Sequence, residues 1–276
     1  MLLTIVTINY NNVVGLRKTF ESVLGQSFLD FQYIVIDGGS TDGSKELIAS
    51  KADRIDYWVS ETDRGIYNAM NKGITVAQGD YTIFMNSGDA FYDSDVLKNI
   101  VNELDGTDVV YGNTLYTNGE RRFSLRTISF KNLYAGSFSH QSTFIKTCLL
   151  KKYPYDEKLK IVSDWKFFLQ TLIIDNGSYR GIDLYVSLYD AGGISSLNLD
   201  RFESERIKVL QDMFPKRILD DMHSYLYGDN WEDKLYLEIK HSSFHKLLYT
   251  LNICIIRMMT FFRRGSSWIK KYPRKL

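Results

Sequence analysis

The fold prediction starts from the segment Gly79-Asp80-Tyr81-Thr82-Ile83-Phe84-Met85-Asn86-Ser87-Gly88-Asp89. Residues 82–85 are apolar or favour β structure, which predicts a short buried strand. Gly88 then lets the backbone turn without a Cβ penalty, so that Asp89 follows the carboxyl end of the strand. Open α/β sheets bind their ligands at that end, and a carboxylate there can hold a hard cation that in turn holds a diphosphate. An aspartate that only caps the next helix is the alternative interpretation.

Apolar strands and amphipathic helices alternate on the amino-terminal side of this segment. Strands are predicted at 2–8, 31–36 and 55–59, and helices at 13–24, 44–51 and 66–77. Such alternation predicts an α/β fold with a mostly parallel central sheet flanked by helices. On the carboxyl-terminal side we predict a helix at 93–104, strands at 109–111, 142–145 and 184–189, a hairpin within 114–128, a helix at 162–174, and a helical extension beyond 200.

Composition favours an ordered protein with one large α/β domain and an appendage. The chain has 276 residues, 44% of them hydrophobic, and only three prolines. We therefore predict a domain over residues 1–198 and a helical extension over 199–276. Cys148 and Cys254 lack metal-type spacing and cannot form a disulfide framework, and the first residues resemble a strand and not a signal peptide. These features favour a cytoplasmic protein.

The tail over residues 244–276 is basic and amphipathic. It contains no Asp or Glu, and Leu247, Leu251, Ile255 and Phe262 fall on one helical face. The apolar run is too short to span a bilayer, and it suits a helix that lies in the membrane interface with basic residues toward anionic lipid. We therefore expect peripheral contact with the inner face of the membrane. Packing on the catalytic domain or on a second subunit of a homodimer remains the alternative.

Two residues near the ends of the first two strands are candidates for nucleotide binding. Asp37 opens the turn 37–43, and a carboxylate there can accept the imide N–H of a uracil ring or the hydroxyls of a ribose. An Asx turn with a capped helix is the alternative. Tyr10 could stack on a base, or it could be a half-buried core tyrosine.

Two later residues are candidates for chemistry. His140 precedes a predicted strand and could ligate a metal or contact a phosphate, although a structural histidine is the alternative. Asp164 lies in Ser163-Asp164-Trp165 at the start of a predicted helix, whose dipole favours the charged carboxylate. Such a carboxylate is a modest general base. A helix cap is again the alternative.

Taken in order, these segments resemble the family-2 glycosyltransferases, which have the GT-A fold. The resemblance spans about residues 3–196. Within the family, the sequence is similar to the bacterial branch that assembles surface polysaccharide or O-antigen. It rests on the order of the following segments: Thr4–Asn11, Ser22–Ser27, Asp37–Gly43, Ser60–Gly73, Gly79–Asp89, His140-Gln141, Ser163–Trp165 and Gly192–Ser195.

The resemblance implies a role for each matching residue. Asp37 would read the base of the nucleotide, with Thr7 and Tyr10 lining that pocket. Asp63 and Asn71 would lie near the nucleotide, and Asp164 would be the catalytic base. Asp89 would be the last carboxylate of the family's metal-binding motif, but Asn86 and Gly88 occupy positions where the common motif has aspartates. Metal binding would therefore depend on Asp89, the diphosphate and His140, with Asn86 beside the donor.

The function implied by the resemblance is an inverting, hexosyltransferase-type transfer that uses Mg²⁺ or Mn²⁺. The donor would be a nucleotide-diphosphate sugar, with a UDP-sugar expected, and the acceptor would be a hydroxyl of a glycan or a lipid-linked molecule. Two alternatives stay open: a sugar nucleotidyltransferase, and a non-catalytic module that binds a nucleotide or a glycan. The first would need a basic phosphate loop that residues 9–15 lack. Nucleic-acid binding is disfavoured because the body of the chain is acidic.

Overall fold

The computed structural model of the chain describes residues 1–189 and 198–229, together with 234, 238, 250, 251, 253 and 255. Contacts divide the chain into two compact units, Met1–Val209 and Leu210–Leu276. The predicted segment at 192–196 and most of the basic tail over 244–276 lie outside the described residues, so the expectations attached to them stay predictions. The domain boundary predicted after residue 198 also stays a prediction, because residues 190–197 lie outside the described residues.

The sheet of the first unit is mixed, with nine strands among the described residues. Its strands are β1 Leu3–Asn9, β2 Phe31–Asp37, β3 Tyr57–Ser60, β4 Tyr81–Phe84, β5 Ala90–Phe91, β6 Val109–Tyr116, β7 Arg121–Arg122, β8 Thr143–Lys146 and β9 Tyr179–Tyr189. They follow the order β3-β2-β1-β4-β8-β6-β9-β5, with β7 paired to β6. The first four positions are parallel, and β8 joins β4 and β6 antiparallel. The predicted α/β fold is confirmed.

Seven α-helices lie between the strands and two follow the last strand, among the described residues. Their bounds are α1 Val13–Leu24, α2 Ser44–Ala49, α3 Ile66–Val76, α4 Val96–Ile100, α5 Phe130–Ala135, α6 Thr147–Lys152, α7 Ser163–Phe168, α8 Leu199–Met213 and α9 Lys216–Tyr227. None of the helices in the described residues is long and apolar enough to cross a membrane.

Several element bounds differ from the predictions. The helix predicted at 93–104 begins only at Val96, because the Asp93 carboxylate accepts the backbone N–H of Asp95 at 2.9 Å and closes a turn there. The helix predicted at 162–174 changes to π geometry at Leu169. The strand predicted at 184–189 begins already at Tyr179, and the two-residue strand β5 was not predicted.

The parallel strands bring their carboxyl ends to one edge of the sheet. Asn9 pairs with Asp37, and Asp37 pairs with Ser60, as the last residues of their strands. β4 lies on the other side of β1 and leads into residues 85–89. The four predicted segments that follow these strands therefore meet at this edge, above a core that includes Ile5, Val35 and Ile83.

Candidate active site

Helix α1 holds the turn that carries Asp89. The Thr19 hydroxyl lies 2.7 Å from the carbonyl oxygen of Asp89 and 3.1 Å from that of Asn86, and it accepts the N–H of Gly88 at 3.0 Å. The Lys18 ammonium donates to the Gly88 carbonyl at 2.9 Å. Gly88 itself has φ of 105°, in the left-handed region, as the turn prediction required. These contacts fix where the Asp89 side chain begins.

Asp37 is buried and accepts hydrogen bonds from Asn9, Ser40 and Ser60. We call these four residues the Asp37 cluster. One carboxylate oxygen accepts the Asn9 amide at 2.7 Å and the Ser40 hydroxyl at 2.5 Å. The other accepts the Ser40 N–H at 2.9 Å and the Ser60 hydroxyl at 2.6 Å. Burial opposes ionisation, but these donors outweigh it and hold the pKa of Asp37 below its usual value. The side-chain oxygen of Asn9 is buried and has no partner among the described residues.

Beside this cluster, Tyr10 and Asp63 approach each other across Gly38. A Cβ on Gly38 would lie 2.5 Å from the Asp63 carboxylate and 3.1 Å from the Tyr10 ring, so a larger residue would displace the Asp63 side chain. Tyr10 is 66% exposed, which rules out the core position that was its alternative. Asp63 is fixed because its carboxylate accepts the N–H of Gly65 at 2.8 Å. An exposed ring and a carboxylate therefore flank one glycine next to Asp37.

Three further predicted residues converge on His140, and we call Asn86, Asp89, His140 and Asp164 the His140 cluster. The Nε2 atom of His140 lies 3.0 Å from the Asn86 amide nitrogen and 3.9 Å from the Asp89 carboxylate. Its Nδ1 atom lies 3.7 Å from the Asp164 carboxylate. Asp89 and Asp164, which are 75 residues apart in sequence, thus face the two nitrogen atoms of one imidazole. The structure brings both carboxylates to one site.

The electrostatics of this cluster differ from those of the Asp37 cluster. Asp89 is only 8% exposed, and burial raises its pKa to about 6 although His140 and Lys18 act in the opposite direction. Burial lowers the pKa of His140, but the two carboxylates outweigh it, so the pKa lies above its usual value. Perturbed groups of this kind in one cleft are typical of functional sites.

The Asn86 amide indicates which His140 nitrogen carries the proton. If its NH₂ donates to Nε2, then the Nε2 lone pair accepts that hydrogen bond and Nδ1 carries the proton that faces Asp164. In that orientation the side-chain oxygen of Asn86 is buried without a partner among the described residues. Buried polar atoms are rarely left so, and the oxygen therefore indicates a missing ligand.

Asp164 lies at the start of α7, as predicted, with its side chain largely buried. One of its oxygens lies 3.0 Å from the Tyr67 hydroxyl and 2.9 Å from the N–H of Trp165. Tyr67 comes from α3, so this contact joins two helices that are distant in sequence. Sequence reasoning assigned no role to Tyr67, although it placed Asn71 of the same helix near the nucleotide.

Thr7 and Asn71 make contacts of a structural kind. Thr7 is fully buried, and its hydroxyl lies 2.8 Å from the Met85 carbonyl oxygen and 3.0 Å from the Tyr33 hydroxyl. The Asn71 amide donates to the Tyr155 carbonyl at 2.8 Å and accepts the Tyr155 N–H at 2.9 Å. The donor-binding roles implied for these two residues stay predictions.

Thr19 and Lys18 were also missed by sequence reasoning. A signal for Thr19 was present, since it is a polar residue on the buried face of α1 that includes Leu16, Phe20 and Val23. Lys18 carried no comparable signal, because a lysine on a helix is usually solvated.

A cavity of about 450 Å³ lies elsewhere, at the amino ends of the strands, lined by Gln32, Tyr57, Gln78 and Lys151 among others. None of the predicted site residues lines it. Within the described residues, no three His, Cys, Asp or Glu side chains form a group that could hold a metal. A metal in the His140 cluster would therefore need oxygen atoms from other groups or from a ligand.

Comparison with known proteins gives a consistent result. The model of the family described as glycosyl transferase family 2 matches residues 4–161, a range that includes Asp37, Asp89 and His140. The chain is also 25% identical over 207 residues to the PGL/p-HBAD biosynthesis glycosyltransferase of Mycobacterium bovis, a match that covers 72% of this chain and 81% of that protein.

Solved structures share the fold. The S. aureus TarS 1–349 complex with UDP-GlcNAc aligns with a TM-score of 0.64 and 17% identity, over 88% of this chain and 74% of that one. This chain spans 45% of a longer TarS structure. A Pyrobaculum calidifontis mannosyltransferase, PcManGT, in complex with GDP-Man and Mn²⁺ aligns with a TM-score of 0.60 and 15% identity, over 93% and 80% of the two chains. At these identities the likeness shows a common GT-A-type fold.

Proposed function

This chain belongs to glycosyl transferase family 2, and we propose that it transfers a sugar from a nucleotide-diphosphate sugar to an acceptor hydroxyl with inversion at the anomeric carbon. The observation that carries the proposal is the His140 cluster. Asp89 and Asp164 lie on opposite sides of one imidazole, within 3.9 and 3.7 Å of its nitrogens. One carboxylate is then available on the side of the leaving diphosphate and the other on the side of the acceptor.

The His140 cluster fits a divalent metal. Asp89 offers a carboxylate and the unpartnered oxygen of Asn86 offers a second ligand, while Nε2 of His140 accepts the Asn86 NH₂ and orients that amide. Because Mg²⁺ and Mn²⁺ are usually bound by few side chains together with substrate phosphates, so short a ligand set is adequate. When bound, such an ion would neutralise charge that builds on the leaving diphosphate. Asp164 would orient His140 from the Nδ1 side.

Asp164 is the proposed base. Its carboxylate is fixed at the start of α7 and by Tyr67, and it can take the proton of an acceptor hydroxyl as that oxygen attacks. A single displacement opposite the leaving group inverts the anomeric centre, so an α-linked donor gives a β-linked product. Its basicity need only be modest, because the proton is lost late in such a displacement.

The donor nucleotide is proposed to bind along the Asp37 cluster. Tyr10 and Asp63 flank Gly38, which suits a ring stacked on tyrosine and a ribose hydroxyl on the carboxylate. The unpartnered oxygen of Asn9 adds an acceptor for an N–H of the base. We expect a UDP-sugar, and the UDP-GlcNAc complex of the TarS neighbour supports that choice.

The acceptor is proposed to be a glycan or a lipid-linked molecule of surface-polysaccharide assembly. The basic tail over 244–276 would then keep the protein at the inner face of the membrane, or would join two subunits. Flotation with anionic liposomes tests the tail. Protein that stays at the bottom of the gradient would remove the membrane role.

The reaction is tested by measuring UDP and GDP release from a panel that includes UDP-GlcNAc and GDP-Man, with Mn²⁺ or with EDTA, and with glycan and lipid-linked acceptors present to receive the sugar. We expect one sugar nucleotide to release its nucleoside diphosphate in the presence of Mn²⁺. Asp164→Asn should abolish release while donor binding, measured by calorimetry, stays within about threefold. Donor binding without release by the wild type, even with acceptor present, would favour a binding module. Weak donor binding by the variant with preserved turnover would reverse the roles of the two carboxylates.

A further inference from the structure

We propose that Tyr67 is a positioning residue, whose hydroxyl holds the Asp164 carboxylate in the orientation needed to receive the acceptor proton. The inference rests on the proposed function, since it assigns Tyr67 a task only if Asp164 is the base. It concerns a residue on α3, outside both clusters, that is joined to the site by one side-chain contact.

The contact is well defined. Tyr67 is 5% exposed, and its hydroxyl lies 3.0 Å from one Asp164 oxygen and 2.7 Å from the Ile161 carbonyl oxygen. The ring packs against Tyr155 with centroids 5.5 Å apart, so the hydroxyl has little freedom to move. A buried, packed donor of this kind restricts the carboxylate rotation that α7 alone would permit.

Two acceptors share the single Tyr67 proton. While Asp164 is ionised, its negative charge favours the bond to the carboxylate, although the Ile161 carbonyl oxygen is the nearer acceptor, at 2.7 Å against 3.0 Å. Once Asp164 has taken a proton, the hydroxyl can donate to the Ile161 carbonyl instead, at a distance already suitable for a hydrogen bond. The tyrosine therefore orients the charged base without leaving an unsatisfied donor after proton transfer.

The contacts of Asp164 also divide between its two oxygens. Tyr67 and the N–H of Trp165 lie on the first oxygen, and Nδ1 of His140 lies 3.7 Å from the second. That second oxygen has a weaker set of neighbours and is the one left to meet an acceptor hydroxyl. Loss of the Tyr67 contact would free the carboxylate to turn away from that direction.

Tyr155 provides a matched control. It is 3% exposed and packs against Tyr67 and Phe84, but its hydroxyl has no hydrogen-bond partner among the described residues. Tyr67→Phe and Tyr155→Phe thus remove the same atom from neighbouring buried rings. Only the first removal takes a hydrogen bond from Asp164.

The test compares the two variants with the wild type in nucleoside-diphosphate release from the donor found by the panel. Tyr67→Phe should lower kcat by roughly 10- to 100-fold, the worth of a hydrogen bond to a charged group, with the donor KM changed less than about twofold. Tyr155→Phe should stay within about twofold of wild-type kcat. Calorimetric titration with the free nucleoside diphosphate and Mn²⁺ counts folded sites, so that kcat is expressed per competent molecule even if a variant folds poorly.

Three results would overturn the inference: wild-type kcat in Tyr67→Phe, equal losses in both variants, or a loss confined to the donor KM. Its failure is distinct from failure of the proposed function. If Asp164→Asn retains turnover, the base assignment is wrong whatever Tyr67 does. If Asp164→Asn is inactive and Tyr67→Phe is not, only the positioning role is lost.

Discussion

Asp37 is the last residue of β2 and Asp89 follows β4, the two strands that flank β1; both carboxylates are buried, yet their surroundings are opposite. Asp37 accepts four hydrogen bonds within 2.9 Å, and its pKa lies below the usual value. Asp89 is 8% exposed, and its pKa is raised to about 6 by burial. His140, 3.9 Å away, is its nearest charged partner, too distant for a hydrogen bond.

The difference teaches what each carboxylate is for. A charged group with all its acceptor positions filled stabilises the fold and is held in one orientation. A buried carboxylate with few donors destabilises the unliganded protein, and such a cost is usually retained where a ligand supplies further partners. The unpartnered oxygen of Asn86 beside Asp89 supports the same conclusion. The predictions that follow are ordered from the largest expected effect to the smallest.

Asp89→Asn should reduce nucleoside-diphosphate release by about 1000-fold or more. The amide cannot supply the negative charge that holds a divalent ion against a diphosphate, a loss of roughly 4 kcal/mol. The measurement is kcat/KM with saturating Mn²⁺. Retention of more than a tenth of wild-type activity would contradict the role of Asp89.

Asp37→Asn should destabilise the protein by about 2–3 kcal/mol, because an amide NH₂ would face the donors that now point at a carboxylate. Urea unfolding at pH 7.5 without ligand measures this effect. Equal stability to the wild type would show that the hydrogen-bond set around Asp37 does not contribute as its geometry indicates.

Asp89→Asn should have the opposite effect on stability in metal-free buffer. The pKa is raised from 3.8 to about 6 in the folded protein, so stability is lost as pH rises through that window and the loss is constant above it. The variant, which cannot ionise, should be more stable by roughly 1–3 kcal/mol at pH 7.5 and by much less near pH 4.5. Urea unfolding at both pH values in EDTA gives the comparison, and a destabilised variant at pH 7.5 would contradict it.

Asn71→Ala should lower stability by about 1–2 kcal/mol and leave UDP affinity nearly unchanged. Its amide makes two hydrogen bonds to the backbone of Tyr155, of 2.8 and 2.9 Å, and these are lost. Thermal unfolding and calorimetry with UDP measure the two quantities. Weaker UDP binding at unchanged stability would instead support the donor-binding role implied by the family resemblance.

The sequence predicts much of the edge that carries the site. Asp37 and Asp89 each lie beside a glycine after an apolar run. Because neighbouring parallel strands end at the same edge of a sheet, this pattern specifies which residues reach the carboxyl edge. The sequence pattern does not specify contacts between residues that are far apart in the chain, such as Tyr67 with Asp164 or Thr19 with Asp89. Thr7 illustrates a second limit. In a parallel sheet covered on both faces, alternation does not tell which side chains turn inward, and Thr7 lies in the core.

The most direct test of the central claim is a crystal structure with UDP and Mn²⁺, with the ion located from its anomalous scattering. The account predicts one strong peak bonded to the Asp89 carboxylate and to the side-chain oxygen of Asn86, with the diphosphate completing its ligands and the four hydrogen bonds of Asp37 intact. A peak bound at Asp37, or UDP bound with Asp89 remote from both the ion and the diphosphate, would contradict it.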